Sequence, residues 1–196
     1  MLPFFIVAFL LGCEPEPITP TNNGNGGGVV TSNSISMRTV FTEDWDNWDF
    51  KINGETVDVS TSFSEDWDNW DYSVGSLDGD IETNFSENWD SWELRSDDYD
   101  IRIRTSFSED WDNWDIDDLS NGWHADITTS FSENWDDWDA SFDGEYMDIR
   151  TTFSDDFDSW DAYGEFPEEY PLEYKVAILF VPVMTNILMQ NGIITP

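Results

Sequence analysis

Hydrophobic and polar residues alternate with a period of two along much of the chain. In the segment 56–63, one face of this pattern consists of Val57, Val59, Thr61 and Phe63. The alternation also follows the tryptophan pairs, where one face consists of Trp48, Phe50 and Ile52. A period of two is typical of β-strands that bury one face and expose the other. The pattern therefore predicts short strands with one apolar and one polar face.

The strands belong to six copies of a repeat, and consecutive copies are spaced at 22, 22, 22, 24 and 22 residues. Each copy contains an acidic segment of the type FSEDWDNWD, and these segments begin at Phe41, Phe63, Phe85, Phe107, Phe131 and Phe153. Three positions are identical in all copies: the opening Phe, the Asp after the first aromatic residue, and the second Trp. Such internal similarity indicates one supersecondary unit repeated along the chain.

Turn signals lie between the two strands of most repeats, and they are Asn53-Gly54, Asp78-Gly79, Asn121-Gly122 and Asp143-Gly144. These dipeptides favour two-residue hairpin turns, in which both residues take a positive φ. Each repeat is therefore predicted to form a β-hairpin. The fold class that we expect is all-β: an antiparallel meander of about twelve strands, curled or barrel-like. A β-solenoid of stacked hairpins is the alternative, and both arrangements would place all acidic segments along one edge.

The acidic segments have the features of a capped helical turn. Ser64 is a favourable N-cap, and Glu65 and Asp66 suit the positive end of a helix. Trp67 and Trp70 are three residues apart and would share one face of the turn. We expect the turn to hold both tryptophans against the core and to leave its acids in water.

The C-terminal segment has a different period. Its apolar residues recur at helical spacing and include Val176, Leu179, Phe180, Val183, Met184 and Ile187. Pro171 suits the first helical turn, Gly192 suits the C-terminal cap, and Pro182 predicts a kink. We expect an α-helix that packs on the apolar face of the sheet or plugs it. A second membrane anchor is the alternative, but the uninterrupted apolar stretch falls short of the roughly 20 residues that a span requires.

The N-terminus has a short apolar stretch at residues 2–11 that ends in Leu10-Leu11-Gly12-Cys13. This quartet resembles the lipobox of bacterial lipoproteins, and the resemblance covers the first 13 residues. It implies export, cleavage before Cys13 and acylation of Cys13, which would anchor the protein in a membrane of the cell envelope, with the outer membrane expected. An ordinary secretory signal with an unmodified cysteine is the alternative.

The predicted organisation has four parts: a signal peptide at 1–12, the lipidated Cys and a flexible linker at 13–28, a six-repeat β domain at 29–166, and a helical region at 167–196. The linker is rich in Pro, Gly and Asn, which is typical of a tether.

Charge restricts the partners. The chain has 43 acidic and seven basic residues, for a formal net charge of −36. This charge excludes nucleic acid and favours cations or a basic protein partner. Chains of such charge are often disordered, but aromatic residues are 16% of this one and include twelve Trp, which favours a folded domain.

An enzyme is not expected. His124 is the single histidine and lies on the predicted polar face of a strand, and the single cysteine is the predicted lipidation site. A nucleophile and its base would need a further candidate, and the carboxylates occur six times over, whereas a catalytic site is normally single. The sequence has no Gly-rich phosphate-binding loop.

Calcium is the predicted ligand of the acidic segments. Neighbouring segments would lie about 10 Å apart, and a hard cation would relieve their repulsion. The candidate ligands are the three positions that are acidic in every repeat: Glu43, Asp46, Asp49, Glu65, Asp68, Asp71, Glu87, Asp90, Glu93, Glu109, Asp112, Asp115, Glu133, Asp136, Asp139, Asp155, Asp158 and Asp161. The alternative function is a surface recognition module that binds a glycan or a basic protein, and a purely structural role is the third.

Overall fold

The computed structural model describes residues 34–42, 44–154 and 156–195, and these form twelve β-strands and one α-helix. The strands are β1 (Ile35–Thr39), β2 (Asn47–Ile52), β3 (Glu55–Thr61), β4 (Asn69–Val74), β5 (Leu77–Thr83), β6 (Ser91–Arg95), β7 (Asp100–Thr105), β8 (Asn113–Asp118), β9 (His124–Thr129), β10 (Asp137–Phe142), β11 (Glu145–Thr151) and β12 (Ser159–Tyr163). The helix is α1 (Leu172–Gln190).

The strands form a closed antiparallel barrel. Each strand pairs with its neighbours in sequence, and β1 pairs with β12, with Ile35 opposite Ala162 and Met37 opposite Trp160. Closure leaves no strand edge free to pair with another chain. The predicted twelve-strand meander with a C-terminal helix is confirmed, and the solenoid alternative is wrong because consecutive repeats share one continuous sheet.

The barrel interior contains the apolar face of every strand. In β2, for example, Trp48, Phe50 and Ile52 are buried, whereas Lys51 is exposed. The second Trp of each repeat points inward and is no more than 1% exposed; these residues are Trp48, Trp70, Trp92, Trp114, Trp138 and Trp160. Their burial supplies much of the apolar contact that offsets the charge repulsion.

Helix α1 fills the barrel. Every residue from 173 to 188 is buried, so all sides of the helix are covered. The ring of Phe180 contacts Trp70 and Trp92 edge-on, with centroids 5.5 and 5.8 Å away. The helix is long and apolar enough to cross a membrane, but 89% of its most apolar window is buried inside the protein. The helix is therefore buried like the core helix of a folded protein, and it plugs the barrel.

Both termini of the helix lie where the sequence predicts them. It begins after Pro171 and continues through Pro182. At the other end Asn191 is the C-cap, and Gly192 takes a positive φ of 67°. Beyond the cap, the backbone N–H of Ile193 donates to the carbonyl of Leu188, which folds the chain terminus back onto the helix.

The barrel has two different ends. The acidic rim comprises the connections 40–46, 62–68, 84–90, 106–112, 130–136 and 152–158. The opposite end, the hairpin rim, holds the turns within each repeat and the start of β1. Helix α1 runs from the hairpin rim, where Tyr174 contacts Trp123, to the acidic rim, where the Asn186 side chain donates to the carbonyl of Trp135 at 3.3 Å.

Two of the four predicted hairpin turns are confirmed. Asn53-Gly54 connects β2 to β3 with φ values of 54° and 91°, and Asp143-Gly144 connects β10 to β11 with φ values of 47° and 85°. Asn121-Gly122 lies in a longer loop, whose backbone N–H groups at Ser120 and Asn121 donate to the Asp118 carboxylate at 2.8 and 3.0 Å.

The predicted turn at Asp78-Gly79 is wrong. Both residues lie inside β5, and the turn falls at Gly75-Ser76, where Gly75 has a φ of 61°. Gly79 sits opposite Tyr72, and a Cβ at this position would clash with the backbone carbonyl of Arg95 and would be 2.5 Å from the Tyr72 hydroxyl oxygen. Glycine is therefore needed here to leave room for the Arg95 carbonyl and the tyrosine ring, and not to make a turn.

Candidate binding site at the acidic rim

The acidic segments form two successive β-turns. In the second repeat the backbone N–H of Asp66 donates to Phe63, and that of Asn69 donates to Asp66, at 2.9 and 3.2 Å. Glu65 has a φ of 62°, which is outside the helical region. The predicted helical turn is wrong. A residue with the left-handed conformation of Glu65 cannot continue a right-handed helix, and the segment forms two β-turns instead. The equivalent residues Glu87, Glu109 and Glu133 also have φ values between 60° and 62°.

The invariant Asp of each repeat joins that repeat to the next one. The Asp46 carboxylate accepts hydrogen bonds from the Thr61 hydroxyl at 3.0 Å, the Ser64 hydroxyl at 2.7 Å and the Glu65 backbone N–H at 2.8 Å. Its backbone carbonyl accepts from the Thr61 N–H at 2.9 Å. Ser64, predicted as a helix cap, is therefore a donor to the preceding repeat.

The same contact recurs around the barrel. The carboxylates that accept a serine hydroxyl from the following repeat are Asp68, Asp90, Asp112 and Asp136. At the closure, the Asp158 carboxylate accepts from the Trp45 indole N–H at 2.7 Å, and its carbonyl accepts from Thr39 at 3.0 Å. This acidic position is thus part of the structure that holds the repeats together.

The two aromatic residues of a segment form a pair. The indole N–H of Trp70 donates to the carbonyl of Trp67 at 2.8 Å, and the two ring centroids are 6.0 Å apart. Each of the other five repeats has the same bond. The second Trp lies in the core, and the first is partly exposed at the acidic rim in most repeats, so the prediction that both face inward is correct for the second and only partly so for the first.

The opening phenylalanine of every segment is exposed. The exposed fractions are Phe41 68%, Phe63 74%, Phe85 74%, Phe107 76%, Phe131 73% and Phe153 69%. The prediction that Phe63 continues the apolar face of β3 is wrong, because that strand ends at Thr61 and the chain then enters the turn. Identity in all six copies does not by itself distinguish this exposed residue from the buried second Trp, which is also identical in every copy.

The three predicted ligand positions of a repeat face different surroundings. In the second repeat Glu65 is exposed in the turn, Asp68 bonds the next repeat, and Asp71 lies on strand β4, where it accepts from the Ser62 hydroxyl at 2.9 Å. Among the described residues, metal-ligating atoms of three side chains come within 4.8 Å of one another only at Asp115, His124 and Asp126. Calcium binding by the segments stays a prediction; Glu43, Asp155 and Cys13 lie outside the described residues.

Two neighbouring cavities open at the acidic rim beside the chain terminus. The first, of about 470 Å³, is lined by Glu87, Asn88, Trp89, Asp90, Glu109, Trp111, Ile193, Ile194 and Thr195. The second, of about 570 Å³, is lined by Glu65, Asp66, Trp67, Asp68, Ser86, Glu87, Trp89 and Ile193. Both combine indole rings with carboxylates. Such walls attract an ammonium or guanidinium group through cation–π contact and ion pairing, and they repel anions.

Carboxylates crowd each other at this rim. The hydrogen bond with Asp68 raises the pKa of Asp66, with burial and charge repulsion acting in the same direction. The same bond lowers the pKa of Asp68, which also accepts from the Glu87 backbone and the Ser86 hydroxyl. A cation bound near this pair would relieve the repulsion between them.

Comparisons of the chain with protein-family models, curated proteins and solved structures gave no match. The acidic rim, with its carboxylates, indole rings and exposed phenylalanines, is the surface of the described residues that is best suited to binding.

Proposed function

We propose that the protein is a membrane-anchored, non-enzymatic recognition module of the cell envelope, and that its acidic rim binds a positively charged protein partner. The observation that carries the proposal is the ring of six exposed phenylalanines, one in each repeat of the acidic rim. Large apolar side chains exposed together on a folded protein are typical of interaction surfaces. Here they alternate with carboxylates, so the complementary surface carries basic and apolar groups.

The repeat geometry favours a multivalent contact. Equivalent residues of consecutive repeats are two strands apart, or about 10 Å along the rim. A partner with several basic and apolar groups could engage several repeats at once, and each contact would raise the effective concentration for the next. The two cavities supply places where the basic side chains would be held between indole rings and carboxylates.

Charge favours a basic protein over a glycan. A neutral sugar would gain stacking contacts but no ion pairs, whereas the cavities at Trp89 are lined by Glu65, Glu87 and Glu109. The second tryptophan of each repeat is buried in the barrel and is not accessible for stacking on a sugar.

Chain connectivity supports presentation of this rim to a partner. Strand β1 begins at Ile35 on the hairpin rim, so the acidic rim is the end of the barrel opposite the start of the first strand.

The test is titration of the protein with a synthetic peptide of alternating arginine and leucine, followed by calorimetry at low and high salt. We expect binding that weakens with salt, and no binding of the matching glutamate–leucine peptide. Replacing Phe85 and Phe107 together by Ser should weaken binding at least about tenfold, since each central contact can contribute more than about 1 kcal/mol. Leu77→Ser is the matched control, because Leu77 is an exposed apolar residue on the hairpin rim. Equal affinity of the double variant and the control would refute the proposal.

A further inference from the structure

The hairpin of β8 and β9 differs from the other five in its polar face. It contains His124, the only histidine of the chain, and it lies within the one repeat interval of 24 residues, between Phe107 and Phe131. In the register of the two strands, His124 is opposite Asp117, and Asp115 is opposite Asp126. All four side chains lie on the outer surface of the barrel, and the His124 side chain is 50% exposed.

Both ring nitrogens of His124 face carboxylates. Nδ1 is 2.9 Å from Asp117 Oδ1, and Nε2 is 3.1 Å from Asp126 Oδ1. A neutral imidazole carries one N–H and can donate to only one of them. The other nitrogen then points its lone pair at a carboxylate oxygen, which is unfavourable unless a cation lies between the two atoms. That cation is either a proton or a metal ion.

We propose that a divalent metal of the zinc type binds the outer face of this hairpin through His124 Nε2, Asp126 and Asp115, with Asp117 as the residue that orients the imidazole. One ligand atom from each of the three side chains lies within 4.8 Å of the others. Ligands of tetrahedral zinc are about 3.3 Å apart when the metal–ligand distance is about 2 Å, which is close to the present Nε2–Oδ1 separation.

The chemistry of the ligands selects the class of metal. An imidazole nitrogen with two carboxylates suits zinc, nickel or copper, whereas calcium takes oxygen ligands only. Metal-bound histidines commonly donate their other N–H to a carboxylate, which fixes the tautomer and the ring orientation. Asp117 is placed to accept that bond at Nδ1.

The local charge is also suitable. Arg104 lies 3.8 Å from Asp115 and 3.3 Å from Asp117, so its guanidinium contacts two of the three carboxylates and negative charge remains in excess. The hydrogen bond to Asp117 raises the pKa of His124, so a proton is the natural competitor of the metal. Metal binding and imidazole protonation are therefore the two states that an experiment must separate.

The next hairpin is a natural control. In β10 and β11 the aspartate pair is retained as Asp139 opposite Asp148, but Tyr146 occupies the position of His124, and Ser141 occupies that of Asp117. This hairpin offers the same carboxylates without a nitrogen ligand.

The test uses the full chain after treatment with a chelator. Zinc is titrated while NMR follows the imidazole signals, which are unambiguous because the chain has one histidine. We expect a discrete shift that is complete near one equivalent of zinc, and loss of this binding in His124→Gln. Asp117→Asn should weaken the affinity about 10- to 100-fold, as is usual for a residue that orients a ligand. Asp148→Asn in the neighbouring hairpin should leave the affinity unchanged.

A gain of function provides the second arm. Ser141→Asp combined with Tyr146→His should add a second equivalent of bound zinc, and failure to do so would contradict the geometric argument. The proposal is overturned if zinc leaves the imidazole signals unchanged, or if His124→Gln binds zinc as tightly as the unaltered chain. In either case the cation between His124 and Asp126 is a proton.

Discussion

The carboxylate of Asp46 accepts a hydrogen bond from the backbone N–H of Glu65, 2.8 Å away and 19 residues further along the chain. This contact crosses the boundary between two repeats and satisfies a backbone donor in a turn. The same carboxylate also accepts two hydroxyl donors. The barrel is thus held together at its acidic rim by side chains as well as by the strand ladder.

Replacing such an aspartate should destabilise the barrel. Asp112 accepts from Thr129, Ser132 and the Glu133 N–H, and Asp112→Ala leaves these donors without their acceptor. Hydrogen bonds to charged groups contribute about 1.5–3 kcal/mol each, and partial exposure reduces this, so we expect a loss of about 2–3 kcal/mol in the free energy of unfolding. Urea unfolding followed by tryptophan fluorescence measures it.

Asp66→Asn is the matched control. The equivalent residues of two other repeats are Asn88 and Asn134, so the position accepts an amide without loss of the fold. We expect a change within about 0.5 kcal/mol. If both variants lose the same stability, the contact between repeats is not the cause.

The strand pattern was predictable because it is local. Alternation of buried and exposed residues gave the strands, and the tryptophan positions gave their inward face. Asp46 could not be assigned its role in the same way, because its donors lie on the following repeat and become neighbours only when the strands are in register. The sequence therefore predicted Asp46 only as a metal ligand, and did not indicate that its carboxylate accepts hydrogen bonds from the following repeat.

The two incorrect predictions about strand boundaries, at Asp78-Gly79 and at Phe63, have a common physical origin. Asp78-Gly79 has the composition of a turn, but Gly79 lies in β5, where the Arg95 carbonyl and the Tyr72 ring leave no room for a Cβ. Phe63 continues the alternation of β3 in sequence, but the chain leaves the sheet at Thr61. Tertiary packing and the chain path decide these positions, and neither is visible in a local pattern.

The glutamates with a left-handed backbone should lower the stability of the barrel and contribute to binding at the acidic rim. Glu65 has a φ of 62°, a conformation that asparagine and glycine adopt more readily. We expect Glu65→Asn to keep or raise the free energy of unfolding, by up to about 1 kcal/mol. The same variant should weaken binding of the arginine–leucine peptide, because a carboxylate is removed from the rim cavity. Thermal unfolding and calorimetry together check both parts.

A variant that binds the peptide normally would contradict this prediction. Strained residues that persist in each copy point to function only when their side chains are used. In that case the acidic residue at this position has no role in binding at the rim.

The two tryptophans of a repeat should differ in their tolerance of substitution. Trp92 is fully buried and Trp92→Ala should cost about 3–5 kcal/mol through loss of contacts and the cavity left behind. Trp89→Phe should cost less than about 1.5 kcal/mol, since the sixth repeat has Phe157 at the equivalent position. Chemical denaturation of both variants tests the difference, and comparable losses would mean that the partly exposed ring is as much a part of the core as the buried one.

The outer face should make stability depend on pH. Asp148 is opposite Asp139 in the sheet, and its Oδ1 is buried without a hydrogen-bond partner. Burial raises the pKa of Asp148, and repulsion from Asp137 and Asp139 adds to this, while Arg150 acts against it. Burial also raises the pKa of Asp80.

The direction in which stability changes with pH follows from which state, folded or unfolded, binds protons more tightly. A carboxyl whose pKa is raised by folding binds protons more tightly in the native state, so its stabilisation is present at low pH and is lost as pH rises through the folded-state pKa. Asp68, whose pKa is lowered, loses its contribution only as pH falls through that lower value. We therefore expect the melting temperature to be higher at about pH 4, close to the ordinary carboxyl pKa of 3.8, than at about pH 7.5.

Asp148→Asn should raise the melting temperature at neutral pH and reduce this difference. The amide removes one negative charge from an outer-face pair and does not titrate. Differential scanning calorimetry at the two pH values gives both quantities, and a variant with an unchanged pH dependence would show that Asp148 is not among the groups responsible.

Calcium at the acidic rim is tested by terbium. Glu65, Asp66 and Asp68 line a cavity beside Trp67 and Trp89, so a lanthanide bound there would lie close to indole donors. If the predicted calcium sites exist, terbium emission should appear on tryptophan excitation and should fall as calcium is added. Glu65→Gln combined with Glu87→Gln should reduce the emission, whereas Asp126→Asn on the outer face should not. If there is no sensitised emission, and the melting temperature is the same in calcium and in chelator, these segments have no calcium site. The carboxylates of the acidic rim would then be available to bind the basic partner.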